Sequence, residues 1–282
     1  MTSPQLLHHQ VVGPAEAPLL VLGPSLGTSM TIWQTHLPAL SRRYRVLTFD
    51  LPGHGGPSSA LLPAPEPGGT TVEDLAGLVL GLVDHHGHDR FHYAGISLGG
   101  AVGAHLAVQH ADRVASLGLI CSSAHFGPPE PWRERAAFVR LKGTEPLLAT
   151  SPGRWFAEPR TAETPLGRAL LRNLADADPV GYAACCDALA AYDLRPDLAR
   201  ITAPTLVVGG SHDLATPLHH ARELADGIPH ARLEKVVAGH LAVEQPDAVQ
   251  AALGTFLHTV QVPPAGGRRA SQRHDTQRHV TQ

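Results

Sequence analysis

The chain has 282 residues, 43% hydrophobic and 17% charged, a balance that supports a large buried core and excludes a mainly disordered protein. Its formal charge is −3, from 22 basic and 25 acidic residues, and no Lys/Arg stripe accompanies aromatic residues, so nucleic acid and anionic membrane are not expected partners. The N-terminus lacks a basic stretch followed by an apolar one, and the longest apolar runs, such as Leu75 to Val83, fall far short of the roughly 20 residues of a spanning helix.

In chain order, Leu6 to Val12 and Leu19 to Gly23 read as strands, followed by a helix from about Thr31 to Ser41 and a strand from Arg45 to Phe49. The Val72 to His86 segment carries an apolar stripe at Val72, Leu75, Leu78, Val79, Leu82 and Val83, the spacing of one helix face. Thr71 with Asp74 three residues on forms a capping box at its start, and Gly87 stops it. A strand from Phe91 to Ala94, a helix from Gly100 to His110 and a strand from Val114 to Cys121 follow. Several of these strands are continuously apolar rather than alternating, which implies burial on both faces of a parallel sheet.

The alternation then breaks down. Residues 124–200 hold Pro128, Pro129, Pro131, three of the bulkier aromatics and several arginines in helical runs without a convincing strand. A strand from Thr205 to Gly209, a helix from Leu218 to Gly227, a strand from Leu233 to Val237 and a helix from Pro246 to Val260 restore it. The expected fold is therefore a doubly wound α/β sheet. Its core comprises residues 1–123 and 201–262, with a helical lid over 124–200 above the sheet top. Residues 263–282 are almost free of apolar side chains and are expected to be disordered. Cys121, Cys185 and Cys186 are odd in number, with two adjacent, which suits a reducing compartment, and a cytoplasmic location is expected.

The segment carrying most chemical information is Gly95-Ile96-Ser97-Leu98-Gly99, set between a strand and a small-residue helix. It reads as a nucleophile elbow, a turn so sharp that the serine is strained and its flanking glycines admit no side chain. A serine hydroxyl is a weak nucleophile until an imidazole takes its proton, and that imidazole needs an orienting carboxylate. Asp213 lies in a tight loop just past one late strand and His240 just past the next, flanked by Gly239. Ser97, Asp213 and His240 thus follow the chain order Ser, Asp, His. The segment after the Val114–Cys121 strand, Cys121 to Phe126, has no carboxylate to compete with Asp213, while His212 is expected to point away. An oxyanion needs two N–H donors, assigned to Leu98 and to Leu26 in the loop Gly23 to Thr28, for which an ordinary βα turn is the competing reading. Asp50 to Gly55 reads as a structural turn. His85, His86 and His88 crowd a helix end without a second cluster at zinc spacing, so no metal is expected. No dinucleotide or phosphate fingerprint occurs, and no cofactor is expected.

Five stretches together resemble the 3-oxoadipate enol-lactonases over about residues 8 to 260. They are Ser25-Leu26-Gly27-Thr28 before Trp33, Asp50 to Gly55 as D-x-x-G-H-G, Gly95 to Gly100, Gly181-Tyr182-Ala183-Ala184-Cys185-Cys186 and Gly239-His240-Leu241. Phe126-Gly127 with Trp132, and Arg154-Trp155-Phe156, fit the family's lid. Pro24 departs from the Asn expected before Ser-Leu-Gly, and a polar tail replaces the carboxymuconolactone decarboxylase domain of some relatives, so that second activity is not expected.

The resemblance implies an α/β-hydrolase fold, a small carboxylate-bearing lactone as substrate and an acyl-enzyme route without cofactor. It places Ser25 beside the substrate, Trp132 or Trp155 as an apolar wall, and Arg133, Arg140 or Arg154 as the cation for the substrate carboxylate. The elbow and its partners are common to carboxylesterases, perhydrolases and C–C hydrolases, which stay open as alternatives, as does a hydrolase-fold small-molecule sensor. The sequence leaves the oligomeric state undefined.

Overall fold

In the computed structural model, which describes residues 5–56 and 59–260, the continuously apolar strands lie side by side in one sheet. The strands are β1 (His9–Val12), β2 (Leu19–Gly23), β3 (Arg45–Phe49), β4 (Phe91–Ile96), β5 (Val114–Ile120), β6 (Thr205–Gly210) and β7 (Ala231–Val236). They run in the order β1-β3-β2-β4-β5-β6-β7. β1 is antiparallel to β3 and every other pairing is parallel. Burial follows position: β2, β4, β5 and β6 are buried throughout, whereas β1 and β7 at the two edges are partly exposed. The doubly wound parallel arrangement expected from the sequence is therefore present.

Nine α-helices occur among the described residues: α1 (Leu37–Leu40), α2 (Val72–His85), α3 (Leu98–Gln109), α4 (Pro129–Lys142), α5 (Ser151–Trp155), α6 (Pro165–Ala175), α7 (Pro179–Ala191), α8 (Leu218–Gly227) and α9 (Pro246–Thr259). The capping box of α2 is formed, with Asp74 N–H on Thr71 Oγ1 and Thr71 N–H on Asp74 Oδ2. Gly87 follows with φ +74, a left-handed conformation that favours glycine. The helix expected from Thr31 to Ser41 is instead a 3-10 turn, Met30–Trp33, followed by the short α1. Pro38 explains the break, because it has no N–H to bond the carbonyl of Gln34 and its ring crowds that carbonyl.

Between β5 and β6 the chain forms α4 to α7 and several 3-10 turns, with one isolated bridge, His125 to Asp193. α4 and α7 pack against each other, joined by Arg140 Nη2 at 2.6 Å from Asp187 Oδ2. α7 also meets the loop after β3 backbone to backbone: Asp178 N–H donates to Gly53 O at 2.8 Å, and a Cβ on Gly181 would lie 2.6 Å from Gly53 Cα. Asp50 at the head of that loop accepts from Met30 N–H at 2.6 Å and contacts His8 Nδ1 at 2.7 Å, the structural use expected for this turn. The tail over 263–282 lies outside the described residues. No helix among the described residues is long and apolar enough to cross a membrane.

Candidate active site

The turn from β4 into α3 leaves Ser97 at φ 54 and ψ −117, a conformation that L-residues avoid. Neighbouring glycines make the turn possible. A Cβ on Gly95 would lie 2.3 Å from the Gly99 carbonyl carbon, and one on Gly99 would lie 2.6 Å from the Gly23 carbonyl. The loop is further held by Tyr93 OH donating to Gly99 O at 2.8 Å and by Ser122 Oγ donating to Ser97 O at 2.8 Å. Ser97 is buried, with its side chain on a cavity above the strand ends. Leu98 is the first residue of α3, so its N–H is one of the helix's free amides.

Asp213 and His240 come from the ends of β6 and β7. The two loops are laced together by Ser211 N–H to Val236 O at 2.9 Å and His212 N–H to Ala238 O at 3.1 Å. Asp213 Oδ1 accepts the N–H groups of Ala215 and Thr216, both at 2.8 Å, which fixes the carboxylate plane. Its Oδ2 lies 2.9 Å from His240 Nδ1 and 2.7 Å from Thr216 Oγ1. Burial pushes the Asp213 carboxyl up, but the His240 imidazole and the hydrogen bonds from His240 and Thr216 together outweigh it and hold the group below its ordinary value. An ionised Asp213 keeps the proton of His240 on Nδ1 and leaves Nε2 free to accept one. His240 lines the same cavity as Ser97. Its loop is pinned to the helical insertion by Leu241 N–H to Trp155 O at 3.1 Å and by Ala157 N–H to Glu244 Oε1 at 2.6 Å.

The cavity is small, about 40 Å³. Ser25 and Leu26 reach it from the loop after β2, where Thr28 N–H closes a turn on Ser25 O at 3.0 Å with Gly27 at φ +80. Trp132, Arg154 and Trp155 line it from the insertion. Arg133 and Arg140 do not. Arg133 lies on the exposed face of α4 beside Glu130, and Arg140 is taken up by the buried Asp187. His212 is exposed, as expected.

Arg135 was not singled out by the sequence reading, and it lines the cavity. The signal was available in the helix period: Arg135 follows Trp132 by three residues and so shares its face of α4, while Arg133 is turned away by about 100°. Its guanidinium sits 5.5 Å from the centre of the Trp132 ring and also contacts Tyr182, another residue of the wall. Burial, and then the positive charge of Arg135, press the Arg154 guanidinium below its ordinary value. Two like charges facing one cavity favour an anion between them.

Residues 20–252 match the alpha/beta hydrolase family. The chain is 33% identical to 3-oxoadipate enol-lactonase 2 of Acinetobacter baylyi over 257 residues, 90% of this chain and 91% of the relative. It is also 33% identical over 240 residues to RutD of Stutzerimonas stutzeri, named as a candidate carbamate hydrolase, with 80% of this chain and 86% of the relative covered. The enol-lactonase from Burkholderia xenovorans LB400 superposes with a TM-score of 0.83 at 37% identity, covering 89% of this chain and 96% of that one. The family match and the similarity to these relatives agree, and the chain belongs to the alpha/beta hydrolase family.

Proposed function

We propose that the protein is a serine hydrolase that opens the ring of 3-oxoadipate enol-lactone to give 3-oxoadipate, with Ser97, His240 and Asp213 as its catalytic residues. The observation that carries the reading is one cavity whose lining includes Ser97 and His240 together with Arg135 and Arg154. The first pair suits acyl transfer and the second suits a substrate that bears a free carboxylate. The similarity to 3-oxoadipate enol-lactonases over most of both chains supports the same choice.

In this reading Ser97 Oγ bonds to the lactone carbonyl carbon as its proton passes to His240 Nε2. The Asp213 carboxylate, held below its ordinary value, stabilises the imidazolium through Nδ1. The developing oxyanion takes hydrogen bonds from the N–H groups of Leu26 and Leu98, each worth about 3 kcal/mol in comparable sites. Collapse breaks the ring C–O bond and returns the proton from His240 to the leaving enol oxygen. The enol then tautomerises to the ketone, which makes ring opening effectively one-way. Water, deprotonated by His240, attacks the acyl carbon and releases Ser97 with the second carboxylate of the product. Trp132 and Trp155 close the apolar side of the ring, and Ser25 sits beside it.

The test is ultraviolet loss of the enol-lactone, with an uncharged aryl ester and a carboxylated carbamate run in parallel, for wild type and Ser97→Ala. Fast lactone loss that disappears in the variant is the expected result. Faster ester or carbamate cleavage with negligible lactone turnover overturns the substrate assignment, and undiminished turnover in Ser97→Ala overturns the mechanism.

A further inference from the structure

A second group of chemically active side chains lies outside the cavity, where the chain leaves β5 to begin the helical insertion. There, one ligand atom from each of His125, His220 and Glu223 lies within 4.8 Å of the other two. His220 and Glu223 are three residues apart on α8 and share one helix face. His125 reaches them from the first residues after β5, with Nε2 at 3.6 Å from Glu223 Oε2. We propose that His125, His220 and Glu223 form a binding site for a divalent transition-metal ion of the zinc type, which fastens the start of the insertion to α8.

The hydrogen bonds around Ser123 support this by fixing the proton on His220. The Ser123 hydroxyl has one proton and donates it to the carbonyl of His125, which can only accept. Ser123 Oγ therefore accepts at its second short contact, 2.6 Å from His220 Nδ1, so the imidazole proton is on Nδ1. Nε2 of His220 is left as an unprotonated lone pair, with no hydrogen-bond partner among the described residues, in a residue that is 9% exposed. A metal-binding histidine is oriented in just this way, with the opposite ring nitrogen donating to an oxygen behind it.

The donor set selects the ion. Two imidazole nitrogens and one carboxylate oxygen suit Zn²⁺, Co²⁺ or Ni²⁺, whereas Mg²⁺ and Ca²⁺ favour all-oxygen shells. Glu223 and His125 are 36% and 25% exposed in their side chains, which leaves an open path and room for water to complete the shell. Ligation through His125 Nε2 moves that ring's proton to Nδ1, at the expense of the 3.3 Å contact from Gly127 N–H. The site is therefore expected to bind more weakly than a preformed structural zinc centre.

The full-length protein, freed of metal by chelation, is titrated with Co²⁺ followed by visible absorption and with Zn²⁺ followed by calorimetry. Wild type is compared with His220→Ala, Glu223→Gln and a control, His86→Ala, which alters a separate histidine contact between His86 and His9. The expected result is one metal equivalent in wild type and in His86→Ala that is lost in His220→Ala and weakened at least tenfold in Glu223→Gln. Glu223 is partly exposed, so its variant remains informative even where His220→Ala fails to fold. Absence of binding to wild type, or equal affinity and stoichiometry in wild type and Glu223→Gln, overturns the proposal. Metal binding is read directly, so the result is independent of which ester or lactone the enzyme cleaves.

Discussion

His240 Nδ1 faces both oxygens of Asp213, at 2.9 Å and 3.1 Å, across two loops that also exchange backbone hydrogen bonds. Asp213→Asn keeps the shape but presents an amide that no longer fixes the imidazole tautomer. On the proposed mechanism kcat for the lactone falls about 10⁴-fold. Thr216→Val removes the hydroxyl contacts to Asp213 Oδ2 and to the Cys121 carbonyl, leaving both backbone donors to Asp213, and is expected to lower kcat by roughly five- to tenfold, the equivalent of one hydrogen bond to the carboxylate. Steady-state kinetics on purified variants with native circular dichroism check both. Equal losses in the two variants would show that the carboxylate is not the group that matters.

Arg135 and Arg154 are expected to read the substrate's charge and not its reactivity. Arg135→Ala lowers kcat/KM for the enol-lactone by roughly 10- to 100-fold, the range of a lost charge-assisted hydrogen bond, and leaves an uncharged aryl ester nearly unaffected. Arg154→Ala acts in the same direction and more weakly, because Arg154 is more exposed to solvent than Arg135. Parallel loss on both substrates would point to a structural defect.

Arg140 is expected to matter for folding and not for recognition. Its partner Asp187 has a side chain only 3% exposed, so Arg140→Ala strands a buried carboxylate. Such a break costs about 3–5 kcal/mol, measurable by urea unfolding. Adding Asp187→Asn should recover part of the loss, whereas Arg133→Ala should stay within about 0.5 kcal/mol of wild type.

Two buried histidines predict acid lability. Burial holds His54 and His92 down to about 4, against 6.5 for the free side chain. Between these values the unfolded chain binds the proton and the folded one does not, so stability increases with pH. The contribution is complete above pH 6.5 and is lost as pH falls towards 4, at roughly 1.4 kcal/mol per pH unit per histidine. His92→Asn, which retains a partner for Ser116, should flatten the urea-derived slope over that window by about that amount. An unchanged slope would mean that His92 is protonated in the folded protein.

The sheet and the sharp turn at Ser97 were legible because their signals are local. A run of buried strand residues, and glycines at fixed distances from Ser97, specify backbone geometry within a few positions. Asp213 and His240 were legible from their place after strands. Recognition residues were harder, since the choice between Arg133 and Arg135 depends on helix phase and the role of Arg140 depends on Asp187 in another helix. The break at Pro38 was written in the sequence and outweighs the helical pattern around it. His220 and Glu223 stand at a helical spacing, but His125 belongs to a distant stretch of sequence and only the fold brings it to α8.

The backbone of Ser97 is a debt carried by the whole sheet: a side chain at φ 54 and ψ −117 costs on the order of 1–3 kcal/mol. Glycine adopts the same angles freely, at an entropic cost of about 0.5–1 kcal/mol in the unfolded chain. Ser97→Gly should therefore melt at a higher temperature than the wild type while losing its activity. Robustness and turnover are in direct opposition at this one position, and the enzyme gives up some of the former to keep its hydroxyl aimed at the cavity.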